Sequence, residues 1–205
     1  MNVNNRNKVI IVISFFTALT AIGAYIKIPL PHIPITLQTF FVLMSGNLLG
    51  IKFGTISQIL YLTLGLIGIP IFAYGGGPGY IFQPTFGYLL GYPLCAFTIG
   101  MLIKLFLSHS ESINISKKKS FIIFLLSDFI GILVIFTFGL AYLYINLKFG
   151  LYLRLDQLLS SNLNWEDSIK AVLLIFLPID TVKAILASWL TVNLKKLPTI
   201  QSVYW

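Results

Sequence analysis

The chain has 205 residues, 57% of them hydrophobic and only 10% charged, with a mean hydropathy of +0.91. A soluble domain carries about 25% charged residues, so this chain has too few to cover a water-facing surface and is read as an all-α integral membrane protein. The formal charge of +8 does not point to nucleic acid, because the basic residues flank apolar spans, where anionic headgroups of the lipid bilayer favour them.

Six apolar stretches recur in chain order, at roughly 9–28, 36–51, 52–73, 84–107, 120–146 and 168–193. Most reach the ~20 residues that a helix needs to cross a ~30 Å hydrocarbon core. They predict a single domain over 1–205, a bundle of six transmembrane helices. With the N-terminus cytoplasmic, this arrangement puts Arg6, Lys8, Lys52, Lys104, Lys117, Lys118, Lys119, Lys195 and Lys196 inside. Only Lys27, Lys148 and Arg154 fall in outer loops, with Lys170 at the outer edge of the last span. That asymmetry is the positive-inside pattern, and merging the second and third spans would invert it downstream. Both termini are therefore expected on the cytoplasmic side. The first span, preceded by Arg6 and Lys8, imitates a signal peptide, but its apolar length favours a retained helix.

The first span carries three small-xxx-small pairs, Ser14/Ala18, Thr17/Ala21 and Thr20/Ala24. Such pairs let helices approach closely; they serve packing within the bundle or, at Ser14/Ala18, a partner protein. The first outer connection, KIPLPHIPITLQT, holds Pro29, Pro31 and Pro34. Proline stiffens it and biases the preceding residues toward extended backbone. It reads either as an apolar cover for the outer mouth or as a turn in the headgroup region. Gly46, Gly50 and Gly54 repeat across the inner turn that follows, and Gly87 and Gly91 repeat in the fourth span.

The second outer connection, YGGGPGYIFQPTFGY, interleaves Gly75, Gly76, Gly77 and Gly79 with Tyr74, Tyr80, Gln83 and Tyr88. Irregular backbone at membrane depth is tolerated where it is buried in protein or lines a cavity, and tyrosine offers an apolar body with a polar tip. The segment is read as a wall of a site. It is no phosphate-binding P-loop, since no Gly-Lys-Ser/Thr follows. The inner loop SHSESINISKKKS is an ordinary basic connection, and INLKFGLYLRLDQLLSSNLNWEDS suits an amphipathic helix in the interface. Cys95, the one cysteine, excludes an internal disulfide and reads as a packing residue.

The last span contains FLPIDTVKAILASWL, with Asp180 and Lys183 one turn apart just after Pro178. Residues three apart share a helix face. With a helix start near Ile169, Asp180 lies ~16 Å in, where a lone charge costs ~2.5–3.5 kcal/mol. A pair that neutralises itself seldom adds net stability, so this one is read as a functional site. Asp128 carries less weight, lying a few residues from the inner end of its span.

Chemistry narrows the reading. His32 and His109 have no Cys, Asp or Glu at metal-ligand spacing, so no metal and no cofactor is expected. Ser188 and Lys183 on adjoining turns are the only candidates for an intramembrane Ser-Lys hydrolase, and Ser188 at i+5 does not lie under the lysine. No nucleotide motif is present, so active transport needs an ion gradient or partner subunits. Acid, base, glutamines and tyrosines beneath an apolar lid suit a small, largely apolar ligand with a few polar groups.

IPLPHIPITLQTFFVLMSGNLLG, GLIGIPIFAYGGGPGYIFQPTFGYLLGYPLCAF and FLPIDTVKAILA together resemble the BioY family, the biotin-binding S components of energy-coupling factor transporters. The likeness runs over nearly the whole chain. It implies a non-enzymatic six-helix protein of the bacterial cell membrane that captures biotin from outside. Its partners would be a transmembrane T component and two ATPase subunits, which drive release inside. It also implies that Asp180 and Lys183 meet biotin, that Gln38 in TLQT contributes from the lid, and that Tyr80 contributes with its surroundings, Gln83 and Tyr88. Ser14 and Ala18 fall on the face that meets the T component, with Ser where Ala is more usual. Ile179 and Phe86 depart from the family, which favours glycine at both places. An S component for another vitamin is the neighbouring alternative.

Overall fold

A computed structural model describes residues 3–29, 34–108, 116–149 and 165–194. Five helices form it: α1 (Val3–Tyr25), α2 (Gln38–Leu66), α3 (Phe86–Ser108), α4 (Lys117–Phe149) and α5 (Trp165–Leu194). A two-stranded ribbon of β1 (Lys27–Ile28) and β2 (Ile35–Thr36) joins α1 to α2, and a 3-10 turn at Pro78–Phe82 precedes α3. All five helices are long and apolar enough to cross a membrane.

The second helix is not a rod. Gly50 stands at φ 68° and ψ −166°, a conformation essentially restricted to glycine. There the chain turns back on itself. Gln58 donates to Ser45 Oγ at 3.1 Å and Gln38 donates to the Tyr61 hydroxyl at 2.6 Å. Residues 23 apart on a straight helix would lie ~35 Å apart, so limbs 38–49 and 51–66 run antiparallel. A Cβ on Gly54 would come within 2.7 Å of the Ser45 carbonyl oxygen, and one on Gly100 within 2.3 Å of Ile51 N. The hairpin and α3 therefore meet backbone to backbone.

The chain reverses at Gly50, close to where the sequence divides the second span from the third, within one helical element Gln38–Leu66. The expected ends shift. The first span stops at Tyr25 rather than 28, because the chain turns into β1. The second limb stops at Leu66 rather than 73, because Gly68 takes φ 114° and Pro70 follows. Both α4 and α5 begin three residues before the spans read from sequence. Pro31, His32, His109, Arg154, Lys195 and Lys196 lie outside the described residues, as does most of the expected interfacial helix.

The hairpin of α2 is the hub, touching α1, α3, α4 and α5. Its apolar core holds Leu43, Tyr61, Phe72, Ile99, Phe124 and Ile132, all nearly inaccessible. Polar side chains are buried alongside them: Gln58 Nε2 reaches Ser45, Ser57 and Thr20 hydroxyls at 3.1–3.3 Å. Large apolar side chains such as Ile11, Leu133 and Leu174 are exposed. Lipid is as apolar as leucine, so these faces need no protein cover, while hydrogen bonds and close packing hold the interior.

Candidate ligand-binding site

The ribbon, the 3-10 turn and helices α2, α3, α4 and α5 meet around one pocket. Its lining includes Thr36, Gln38, Thr39, Tyr80, Thr85, Tyr88, Tyr92, Phe136, Phe176, Asp180 and Lys183. The ribbon lays β2 across it: Lys27 pairs Thr36 and Ile28 pairs Ile35, and the Leu37 amide donates back to the Gly23 and Ile26 carbonyls. Gln38, the first residue of α2, is held from both sides. Its Oε1 accepts from the Thr36 hydroxyl at 3.0 Å and its Nε2 donates to Tyr61. The Tyr61 hydroxyl passes the link on to the Ile71 carbonyl at 2.9 Å, at the root of the glycine-rich loop.

That loop is ordered by backbone contacts. Phe72 and Gly75 exchange hydrogen bonds, and the Gly77 amide donates to the Gly65 carbonyl at 2.7 Å. The Phe72 ring lies where a Cβ on Gly65 would be, 2.0 Å away. Tyr80 packs on Phe72 with ring centroids 4.6 Å apart and accepts from the Thr85 hydroxyl at 3.4 Å. On α3, the Tyr88 ring lies against Gly139 of α4, whose missing side chain makes the room. The Tyr88 hydroxyl is buried and has no hydrogen-bond partner among the described residues.

Asp180 and Lys183 complete the wall from α5. Lys183 Nζ donates to Asp180 Oδ1 at 2.6 Å and to the Thr36 carbonyl at 2.8 Å. The side chains of Asp180 and Lys183 are 7% and 9% exposed. Asp180 lies near the middle of α5, fifteen residues after its first residue and fourteen before its last. The cavity has a volume of about 50 Å³, room for a few waters.

Of the residues singled out in the sequence, Gln38, Tyr80, Tyr88, Asp180 and Lys183 come together here. Gln83 does not line the pocket; it is half-buried and its amide caps the 3-10 turn at the Tyr80 carbonyl. Ser14 and Ala18 are both exposed, on the side of α1 away from Thr17, Thr20 and Ala24, which pack inward. Ser188 does not pair with Lys183: its hydroxyl donates to Asp128 Oδ2 at 2.7 Å. The lysine is committed to Asp180, so the Ser-Lys hydrolase reading falls. Sequence reasoning missed Thr36, Thr85 and Tyr92. Tyr92 follows Tyr88 by one turn, and that spacing was a usable signal. Asp128 was undervalued as well. It lies eleven residues into α4 and is fully buried.

The pocket joins an acid, a base, an amide and an unpaired phenol to aromatic walls. A ligand bearing N–H donors and carbonyl or carboxylate acceptors on an apolar body matches it. Fold and site together define a helical membrane protein with a buried small-molecule pocket. The chain belongs to the BioY family, whose model matches residues 1–199. It is 43% identical over 145 residues to a probable biotin transporter BioY of Lysinibacillus sphaericus, covering 71% of this chain and 69% of that one. Identity to the biotin transporter BioY of Thermotoga maritima is 36% over 186 residues, covering 89% and 92%. The fold also matches a crystal structure of the S-component for biotin from an ECF-type ABC transporter. There the TM-score is 0.77 at 29% identity, over the whole of both chains.

Proposed function

We propose that this chain is the substrate-capturing S component of an energy-coupling factor transporter and that its ligand is biotin. The observation that carries the site assignment is the buried Asp180–Lys183 pair, 2.6 Å apart in the wall of a pocket it shares with Gln38, Tyr80 and Tyr88. Biotin has two ureido N–H donors, a carbonyl, an apolar thioether ring and a terminal carboxylate. Asp180 accepts a ureido N–H; Lys183 meets the ureido carbonyl or the carboxylate; Gln38 adds a polar contact from beneath the ribbon. Tyr80 packs against the ring system, and the unpartnered Tyr88 hydroxyl donates to a ligand oxygen. The protein performs no bond chemistry itself.

In this reading the whole chain is one domain of the bacterial cell membrane with six crossings, the limbs of α2 counting as two, and both termini cytoplasmic. The lysines of the inner loops then follow the positive-inside pattern. Uptake is driven by a transmembrane T component and two ATPase subunits. The exposed small-residue face at Ser14 and Ala18 receives the T component, because close helix approach needs small side chains. Calorimetric titration of the purified protein with biotin tests the assignment. Tight one-to-one binding supports it, and a folded sample that ignores biotin but takes up another vitamin redirects it to that vitamin.

A further inference from the structure

The bundle buries a second acid away from the pocket. Asp128 on α4 is 0% exposed, and no cation lies within salt-bridge distance of it among the described residues. Its carboxylate accepts from Asn47 Nδ2 at 3.0 and 3.1 Å and from Ser188 Oγ at 2.7 Å. Asn47 belongs to the first limb of α2 and Ser188 to α5. One side chain therefore ties three segments, and the contacts made to it are donors, as a carboxylate requires.

The shape of α5 explains what such a tie supplies. Between Asp180 and Thr191 its buried positions are Lys183, Ala184, Ala187, Ser188 and Thr191. Four of its large apolar side chains there, Val182, Ile185, Leu186 and Trp189, point outward with 43–59% exposure, and Leu190 is the one packed against the core. Axial register between helices comes from bulky side chains seated between those of the neighbour. A buried face of alanine, serine and threonine offers few of these, and lipid is indifferent to sliding. Pro178 further loosens the helix just before the ion pair. With Leu190 the one bulky side chain packed inward on this stretch, directional hydrogen bonds carry much of the task of setting the height of α5. They occur at two levels: Lys183 to the Thr36 carbonyl, and Ser188 through Asp128 to Asn47.

We propose that Asp128 is a positioning residue for the ligand pocket. With Asn47 and Ser188 it locks the register of α5, and so the height at which Asp180 and Lys183 meet the cavity. The proposal rests on the pocket being the biotin site described above.

The test titrates biotin into purified wild type, D128N, S188A and the exchange variant N47D/D128N, with folding checked by gel filtration and melting temperature. D128N is expected to bind roughly ten- to a hundredfold more weakly and S188A about five- to tenfold more weakly. The exchange variant restores an acid facing an amide across the same two segments and should recover affinity to within about threefold of wild type. Unchanged affinity in folded D128N overturns the proposal, as does an exchange variant that stays as weak as D128N. Should D128N fail to fold, S188A decides: it removes only the link to α5, and wild-type affinity there overturns the proposal. Should wild type itself ignore biotin, the functional reading fails separately. Spin-label distances between Leu94 on α3 and Leu186 on α5 then decide the clamp. Broadening in S188A and D128N with recovery in the exchange variant supports it; unchanged distances overturn it.

Discussion

Asp180 and Lys183 show how a membrane interior keeps two charges. Each neutralises the other, and the lysine's second hydrogen bond reaches the ribbon backbone at Thr36. Removing one partner strands the other at a cost of about 3–5 kcal/mol. Asp180→Asn and Lys183→Met are each expected to weaken biotin binding by at least about a hundredfold, read by titration on protein that still elutes as a single species. Near-normal affinity in both would sink the assignment. Tyr88 makes a sharper case, because its hydroxyl has no partner among the described residues. Tyr88→Phe should leave the melting temperature unchanged while biotin affinity drops about three- to tenfold, the worth of one hydrogen bond. A loss of stability without a loss of affinity would assign the hydroxyl to the fold instead.

At the level of elements, two glycines decide whether the walls stand where they do. Gly50 turns α2 back on itself at φ 68° and ψ −166°; a Cβ there costs about 1–3 kcal/mol. Gly50→Ala should lower the denaturation midpoint measurably. Because it displaces the limb that starts at Gln38, it should also weaken biotin. Gly139 acts differently. It has no unusual backbone angle, yet a Cβ would sit 2.3 Å from the Tyr88 ring. Gly139→Ala should therefore push that ring into the cavity and reduce affinity by more than its effect on melting predicts. An affinity matching wild type would mean that the ring finds room elsewhere.

For the whole molecule, the proposed function makes capture and energised release separable. The pocket faces the ribbon and the glycine-rich loop, whereas Ser14 and Ala18 look outward from α1. Substituting tryptophan at Ser14 and Ala18 together is expected to leave biotin affinity within about twofold, while uptake by cells carrying the T component and ATPases is lost. Retained uptake would remove that face from the partner interface. Ligand also stabilises the fold by mass action. Biotin at a hundred times its dissociation constant should add about 2.7 kcal/mol to the unfolding free energy, visible as a raised melting temperature in detergent.

The amino-acid sequence by itself determined the membrane class, the approximate positions of the five long apolar helices and the acid-base pair. Hydropathy is a property of the chain, and a spacing of three puts two side chains on one helical face in any context. The motif stretches carried the family in the same way. What only the tertiary structure decided were the relations between distant segments. Nothing in the composition of α2 says that Gln38 will bond Tyr61 or that its limbs pack face to face; that follows from one glycine torsion. The inner-end reading of Asp128 missed its role because Asn47 and Ser188 lie 81 and 60 residues away in the chain. The Ser188–Lys183 pairing, plausible by nearness along the helix, gave way because each side chain found a better partner across the bundle. Buried polar groups in lipid must pair within the protein, and which partners they find is a matter of packing that linear spacing does not carry.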